Sequence, residues 1–403
     1  MGSRRRGNDD RVLQAMTTYG EDLRGRPMMF PPSSCPRLIV KIGSALLVDP
    51  DGSVRRDWLA GLVADIAART GAGQQVAIVS SGAIALGARR LGLAKGGRAS
   101  LEDAQAAAAT GQIALSQVWA ELLAAQGLNA AQMLVTLDDL EDRRRYLNAA
   151  ATLNRLLSLK VVPVINENDS VATEEIRFGD NDRLAARVAQ AAGASAVVLL
   201  SDIDGLYDRH PKLPGARMIP VVEGVTAEVQ AMASTESNSG MGSGGMVSKL
   251  QAAEIAQLAG ICLVIGNGQH DRPVERIIAG GIGTLFVPRG KAGARKAWLG
   301  GRLRLKGELI VDDGAAAALR RGSSLLAKGI TVVEGVFSRG DPVAILDAEG
   351  RVLAHGLSEY DGAECAAIVG LHSSDQEQVL GYAPRSSVVH RDQMVMKSPM
   401  VTK

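Results

Sequence analysis

Aromatic side chains are scarce, at 3% of 403 residues, so a core must be built from Ala, Val, Leu and Ile. There are three cysteines, Cys35, Cys262 and Cys365, and no two form a C-x-x-C pair. That excludes a disulfide framework or a cysteine-rich metal knuckle and fits a reducing, cytoplasmic setting. No run of 18 apolar residues occurs, so no membrane span is expected. Lys plus Arg (45) nearly balance Asp plus Glu (43), and no global field draws in nucleic acid or membrane. The five histidines, His210, His270, His355, His372 and His390, lack metal-site spacing. No G-x-S-x-G elbow and no Walker A loop is found.

What is present is an ordinary apolar fraction of 46% and 46 glycines, enough for a sizeable core and many tight turns. The length suggests two or three domains. Residues 1–35, rich in Arg, Gly and Pro, read as a disordered extension without the apolar stretch of a signal peptide. Met28 and Met29 stand immediately before the first strand and are a second candidate start.

From residue 37, short apolar strands alternate with helical patterns. Strands are expected at 37–42, 75–79, 131–135, 161–165, 196–200 and 261–265. Helices are expected at 58–69, 101–125, 142–159, 183–192 and 246–258. This alternation predicts an α/β fold, a three-layer sandwich around a largely parallel sheet, over 36–290. Arg289–Lys306 carries seven Lys or Arg and no acid, and 291–305 reads as a linker. Beyond it, strands at 308–311, 330–333, 342–345 and 352–354 and a helix at 315–321 predict a small mostly-β domain over 306–390.

Ligands of such sheets bind at the carboxyl ends of the strands, and the polar motifs follow strands. Lys41-Ile-Gly-Ser44 places an ammonium beside exposed backbone amides, which suits a polyphosphate. A lysine extending from a strand end to solvent is the plainer account, but a strand otherwise made of Leu, Ile and Val leaves a charge needing a partner. Ser80-Ser-Gly-Ala83 opens a helix and is either an anion site or an ordinary Ser cap. Asn166-Glu-Asn-Asp169 and Gly179-Asp-Asn-Asp182 flank a loop. Their carboxylates can bind an ammonium, hold Mg²⁺ or orient lysines, though Asx-rich turns have the same composition. Gly240–Lys249 is glycine-rich, opens a helix and brings Lys249 to its first turn. It also matches G-x-G-x-x-G at Gly240, Gly242 and Gly245, but no strand precedes it, so a dinucleotide reading is weak. His390-Arg-Asp392 imitates a protein-kinase catalytic loop without the Asn or Asp-Phe-Gly that should follow.

Two lysines on separate glycine-rich loops plus a carboxylate cluster suit phosphoryl transfer to a carboxylate. That acceptor is already ionised, so no base is needed, and catalysis is positioning with charge neutralisation.

Together and in this order, Lys41-Ile-Gly-Ser, Ser80-Ser-Gly-Ala-Ile, Val-Pro-Val-Ile-Asn-Glu-Asn-Asp169, Phe-Gly-Asp-Asn-Asp182 and Gly-Ser-Gly-Gly-Met-Val-Ser-Lys249 resemble the bacterial glutamate 5-kinase family of the amino acid kinase superfamily. Arg320-Arg-Gly-Ser-Ser-Leu-Leu and Phe-Ser-Arg-Gly340 resemble its C-terminal PUA domain. The resemblance spans residues 36–392. It implies ATP-dependent phosphorylation of the L-glutamate γ-carboxylate, the first step of proline synthesis, with Mg²⁺. It also implies Lys41 and Lys249 as phosphoryl-stabilising lysines, Asp180 as the acid orienting them, and Ser81, Asn181 and Asp169 as glutamate contacts. The ATP site would be Lys41, Ser201, Asp202, Ser243, Gly244, Gly245, Met246, Val247, Ser248 and Lys249, with Asp182 near the metal. Feedback inhibition by proline, a homo-oligomer and hand-over to glutamate-5-semialdehyde dehydrogenase are further implications. Two other readings stand beside this one: a kinase of the same superfamily acting on carbamate, aspartate, acetylglutamate or UMP, and an RNA-binding protein working through the PUA domain.

Overall fold

The computed structural model describes residues 29–49, 52–171, 180–234, 245–280, 283–288 and 305–396. The chain divides into two compact units, Met1–Glu141 with Ala149–Arg289, and Asp142–Asn148 with Gly290–Lys403.

The first unit is built on an eight-stranded sheet in the order β3-β4-β2-β1-β5-β7-β8-β6. The strands are β1 Arg37–Ile42, β2 Gln75–Ser80, β3 Ala130–Val135, β4 Val162–Glu167, β5 Ala196–Ser201, β6 Val221–Val222, β7 Cys262–Asn267 and β8 Thr284–Phe286. All pairs are parallel except β7 with β8. Its helices of eight residues or more are α1 Arg56–Gly71, α2 Ala83–Leu91, α3 Leu101–Ala125, α4 Arg143–Ser158 (of which 143–148 group with the second unit), α5 Asp180–Ala192, α6 Ala227–Ser234, α7 Met246–Leu258 and α8 Pro273–Gly280. The central strand β5, Ala-Val-Val-Leu-Leu-Ser, is buried at every residue. That is the pattern of a parallel strand covered on both faces.

The core is aliphatic, yet the largest fully buried side chain is Trp119 of α3. Its indole Nε1 donates to Ser80 Oγ at 3.0 Å, tying α3 to the end of β2. Trp58 of α1 likewise donates to the carbonyl of Gly268, at 2.8 Å. Helices α2 and α3 cross with their backbones in contact. A Cβ built on Gly87 would lie 1.8 Å from the Ala107 carbonyl oxygen, and one on Gly111 1.8 Å from that of Ala83. Only glycine permits that approach. The thiols of Cys35, Cys262 and Cys365 are free and buried, and burial pushes Cys35 and Cys365 up to about 12.

Three expectations change in this unit. Within residues 29–35, assigned to the disordered extension, Met29, Phe30 and Cys35 join the core: Phe30 is 1% exposed, and its carbonyl accepts from Gln74 Nε2 at 3.2 Å. The Met29 amide donates to the Ile278 carbonyl at 3.0 Å. The rest of that extension, residues 1–28, lies outside the described residues, as does nearly all of the expected linker. Strand β4 continues past Ile165 to Glu167, so Asn166 and Glu167 are strand residues rather than loop. Helix α5 begins at Asp180, three residues before the expected start.

The second unit has a five-stranded sheet, order β10-β9-β11-β12-β13. Its strands are β9 Gly307–Val311, β10 Ile330–Gly335, β11 Pro342–Leu346, β12 Val352–Leu357 and β13 Met394–Met396, with helices α9 Asp313–Arg320, α10 Gly362–Ala367 and α11 Ser373–Leu380. It has its own core, including Leu309, Ile345, Tyr360 and Val389. Because β13 completes the sheet, this unit runs past the expected boundary at 390. Among the described residues no helix is long and apolar enough to cross a membrane.

Candidate active site

Lys41 is the penultimate residue of β1 and lies in register with Val79 of β2 and Leu199 of β5. Its strand neighbours are apolar, so a buried ammonium there requires a counter-charge. Asp182, in the first turn of α5, supplies it: Lys41 Nζ is 2.5 Å from Asp182 Oδ1. Lys249, from α7, approaches the other oxygen, with Nζ 3.3 Å from Oδ2. Ser248 Oγ donates to the same Oδ2 at 2.9 Å. The side chains of Lys41, Asp182 and Lys249 are 7%, 0% and 8% exposed.

Burial alone would raise the Asp182 carboxyl, but the adjacent ammonium groups of Lys41 and Lys249 outweigh it and hold the carboxyl below its ordinary value. Burial lowers Lys41, and Lys249 adds to that, against the opposing pull of Asp182. Within the triad two ammonium groups share one carboxylate, an arrangement that an arriving polyanion would stabilise.

The carboxylate in contact with both lysines is Asp182. The side chain of Asp180, to which that role was assigned, lies outside the described residues. Asp182, assigned to the neighbourhood of a metal, has both oxygens engaged by cations, which repel a further cation. Among the described residues no group of three or more His, Cys, Asp or Glu could hold a metal ion.

Beside the triad lies a chain of amides. After β2 the backbone turns at Gly82, whose φ of +107° lies in the left-handed region, and presents Ser81. Asn181, adjacent to Asp182 in α5, donates from Nδ2 to Ser81 Oγ at 2.8 Å and to Asn166 Oδ1 at 3.1 Å. Asn166, now at the end of β4, donates from Nδ2 to Gln112 Oε1 of α3 at 2.8 Å. Ser81 and Asn181 are thus brought together, and next to the triad. Asp169 is buried two residues beyond β4 and lies within electrostatic reach of Arg98. Asn166 and Gln112 were not singled out as site residues. Asn166 stood inside a quoted motif, whereas Gln112 sits in an alanine-rich helix with nothing local to mark it.

On the other side of Lys41, β5 ends at Ser201, whose Oγ is 3.2 Å from Asp202 Oδ1. Asp202 is close enough to raise Lys41 by its charge. Gly245 is the N-cap of α7 and makes no side-chain cap, and the amino end of a 13-residue helix suits an anion. Met246 is buried and Val247 exposed. Ser243 and Gly244 lie outside the described residues.

The chain is similar to known proteins over most of its length. The amino acid kinase family model matches residues 36–267, and the PUA domain model matches 307–380. A glutamate 5-kinase of Sphingopyxis alaskensis is 70% identical over 91% of this chain and 99% of its own length. One of Novosphingobium aromaticivorans is 68% identical over 90% and 97%, and one of Zymomonas mobilis 58% over 95% and 97%.

Proposed function

We infer the reaction of this chain from its membership of the amino acid kinase family and, within it, of the glutamate 5-kinases. The protein transfers the γ-phosphoryl group of ATP to the γ-carboxylate of L-glutamate. The bond between the γ-phosphorus and the β,γ-bridging oxygen breaks, one forms to a carboxylate oxygen, and ADP and γ-glutamyl phosphate leave. This reaction begins proline synthesis.

The observation that carries the mechanism is the pair of buried lysines, from segments more than 200 residues apart in sequence, held by the single carboxylate of Asp182. The acceptor carboxylate needs no base. Lys41 and Lys249 neutralise the charge that grows on the transferring group, each contributing about 3 kcal/mol in a preorganised, water-poor site. Asp182 keeps both ammonium groups in place before substrates arrive, so little reorganisation accompanies the reaction.

Ser81, Asn181 and Asp169 hold glutamate, with Asp169 facing its ammonium. Ser201, Asp202 and the amino end of α7, including Ser243 and Gly244, hold the nucleotide. Mg²⁺ would arrive on the phosphate oxygens of ATP and shield their charge. Asp202, with its carboxylate at the open end of β5, suits that cation better than Asp182. Proline, sharing an ammonium and an α-carboxylate with glutamate, competes at the acceptor subsite. The protein works in the cytoplasm as a homo-oligomer, and glutamate-5-semialdehyde dehydrogenase consumes its labile product.

The direct test is a hydroxamate assay. Glutamate, ATP and Mg²⁺ should give γ-glutamyl hydroxamate, proline should raise the apparent KM for glutamate, and neither aspartate nor acetylglutamate should replace it. Absence of hydroxamate with glutamate would refute the assignment.

A further inference from the structure

The amides beside the triad form one directed chain that begins at a main-chain carbonyl. Ser116 Oγ donates to the Gln112 carbonyl oxygen one turn back in α3, at 2.8 Å. Its only hydroxyl proton is thereby committed, and it can offer the Gln112 side chain nothing but lone pairs. Gln112 accordingly presents its amide nitrogen there, at 3.3 Å, and its Oε1 to Asn166. Asn166 must then give its nitrogen to Gln112 and its oxygen to Asn181. Asn181 in turn spends both amide protons, on Asn166 and on Ser81 Oγ.

Two atoms are left over at the acceptor end. Asn181 Oδ1 is buried and has no hydrogen-bond partner among the described residues. The Ser81 hydroxyl accepts from Asn181 and so retains its own proton. A buried acceptor beside a hydroxyl donor fits an ammonium next to a carboxylate, the two groups on the α-carbon of an amino acid. Reversing the chain would exchange these roles, because Asn181 would then show its NH₂ to the site and the Ser81 hydroxyl would be a donor to Asn181. That arrangement would oppose an ammonium.

We propose that Gln112 is a positioning residue that sets the direction of this amide chain, and through it makes the acceptor site select an α-amino acid. It acts on the substrate through Asn166 and Asn181. The proposal rests on the acceptor-site reading above.

The experiment compares Gln112→Met, Gln112→Glu and Ser116→Ala with the unmodified protein in the hydroxamate assay, alongside their melting temperatures. Gln112→Met keeps the shape but removes the acceptor facing Asn166. It should raise the KM for glutamate about tenfold, as expected for a lost buried polar partner, while the KM for ATP stays unchanged and kcat changes by no more than about threefold. Gln112→Glu keeps an oxygen toward Asn166 Nδ2 in either protonation state and should restore the glutamate KM to within about threefold of the original. Ser116→Ala, which frees Gln112 to turn over, should shift the same constant in the same direction by a smaller factor, and it gives the answer should Gln112→Met not fold. An unchanged glutamate KM in Gln112→Met overturns the proposal, as does equal impairment of the Met and Glu variants, which would mean that packing alone matters. If Gln112→Met does not fold, an unchanged KM in Ser116→Ala overturns it. Absence of hydroxamate from the unmodified protein would instead remove the acceptor assignment itself.

Discussion

Lys41 Nζ stands 2.5 Å from Asp182 Oδ1, and the Asp182 side chain has no exposed surface. A buried carboxylate in that position cannot borrow water for compensation, and neither can the ammonium it faces. Lys249 shares the same carboxylate, so the three charges form one unit whose members depend on one another.

Asp182→Asn keeps the shape and removes the counter-charge. Two buried ammonium groups would then lose the carboxylate they share. The variant should lose about 3 kcal/mol of stability and at least about 100-fold in kcat, because neither lysine is held for the transferring group. Urea denaturation and the hydroxamate assay read these two losses separately.

The same substitution should reveal a pH dependence. The Asp182 carboxyl is held below its ordinary 3.8, so the fold favours its ionised form. The stability it contributes is complete above pH 3.8 and fades as pH falls through the lower folded value. Lys41 works in the opposite window. It is held below its ordinary 10.5, so the unfolded chain binds its proton more strongly and stability from this group rises as pH climbs toward 10.5. The stability gap between the unmodified protein and Asp182→Asn should therefore narrow on acidification below pH 3.8. A constant gap in urea midpoints would contradict the ion-pair account.

Lys249→Ala and Asp169→Ala should separate kinetically. Lys249 is assigned to the transferring group, where charge grows, so its loss should lower kcat about 100-fold with little change in glutamate KM. Asp169 is assigned to the substrate ammonium, so its loss should chiefly raise glutamate KM and leave the KM for ATP alone. Initial-rate measurements with each substrate varied decide both.

Gly87→Ala tests the crossing of α2 and α3. Its new methyl would meet the Ala107 carbonyl oxygen at 1.8 Å, and neither backbone can move without the other. A loss of about 3 kcal/mol is expected, with a raised glutamate KM because α2 follows Ser81 and α3 carries Gln112. Gly71→Ala, where a Cβ meets nothing within 4 Å, is the control and should be neutral or mildly stabilising. Thermal melts of both variants check this.

The long periodic elements could be read from the residues alone: helices at 101–125 and 246–258 stand where their apolar spacing puts them. What escaped was polar or short. Strand β4 ends in Asn166 and Glu167, residues that resemble a turn because the strand runs directly into the site. Asp182 meets both lysines, a partnership that the composition of Gly179–Asp182 alone does not single out. Strands β6, β8 and β13 have two or three residues each, too few to show an alternation. Gln112 works with a partner 54 residues away, a relationship only the folded chain displays.

The bond from Trp119 to Ser80 has a practical corollary. Of the three tryptophans in the chain, Trp58 and Trp119 are buried in the first unit, while Trp298 lies outside the described residues. An indole anchored one residue from Ser81 is a native optical reporter on the acceptor loop. Its emission should register glutamate occupancy without any attached dye, and a Trp58→Phe, Trp298→Phe background would isolate that signal.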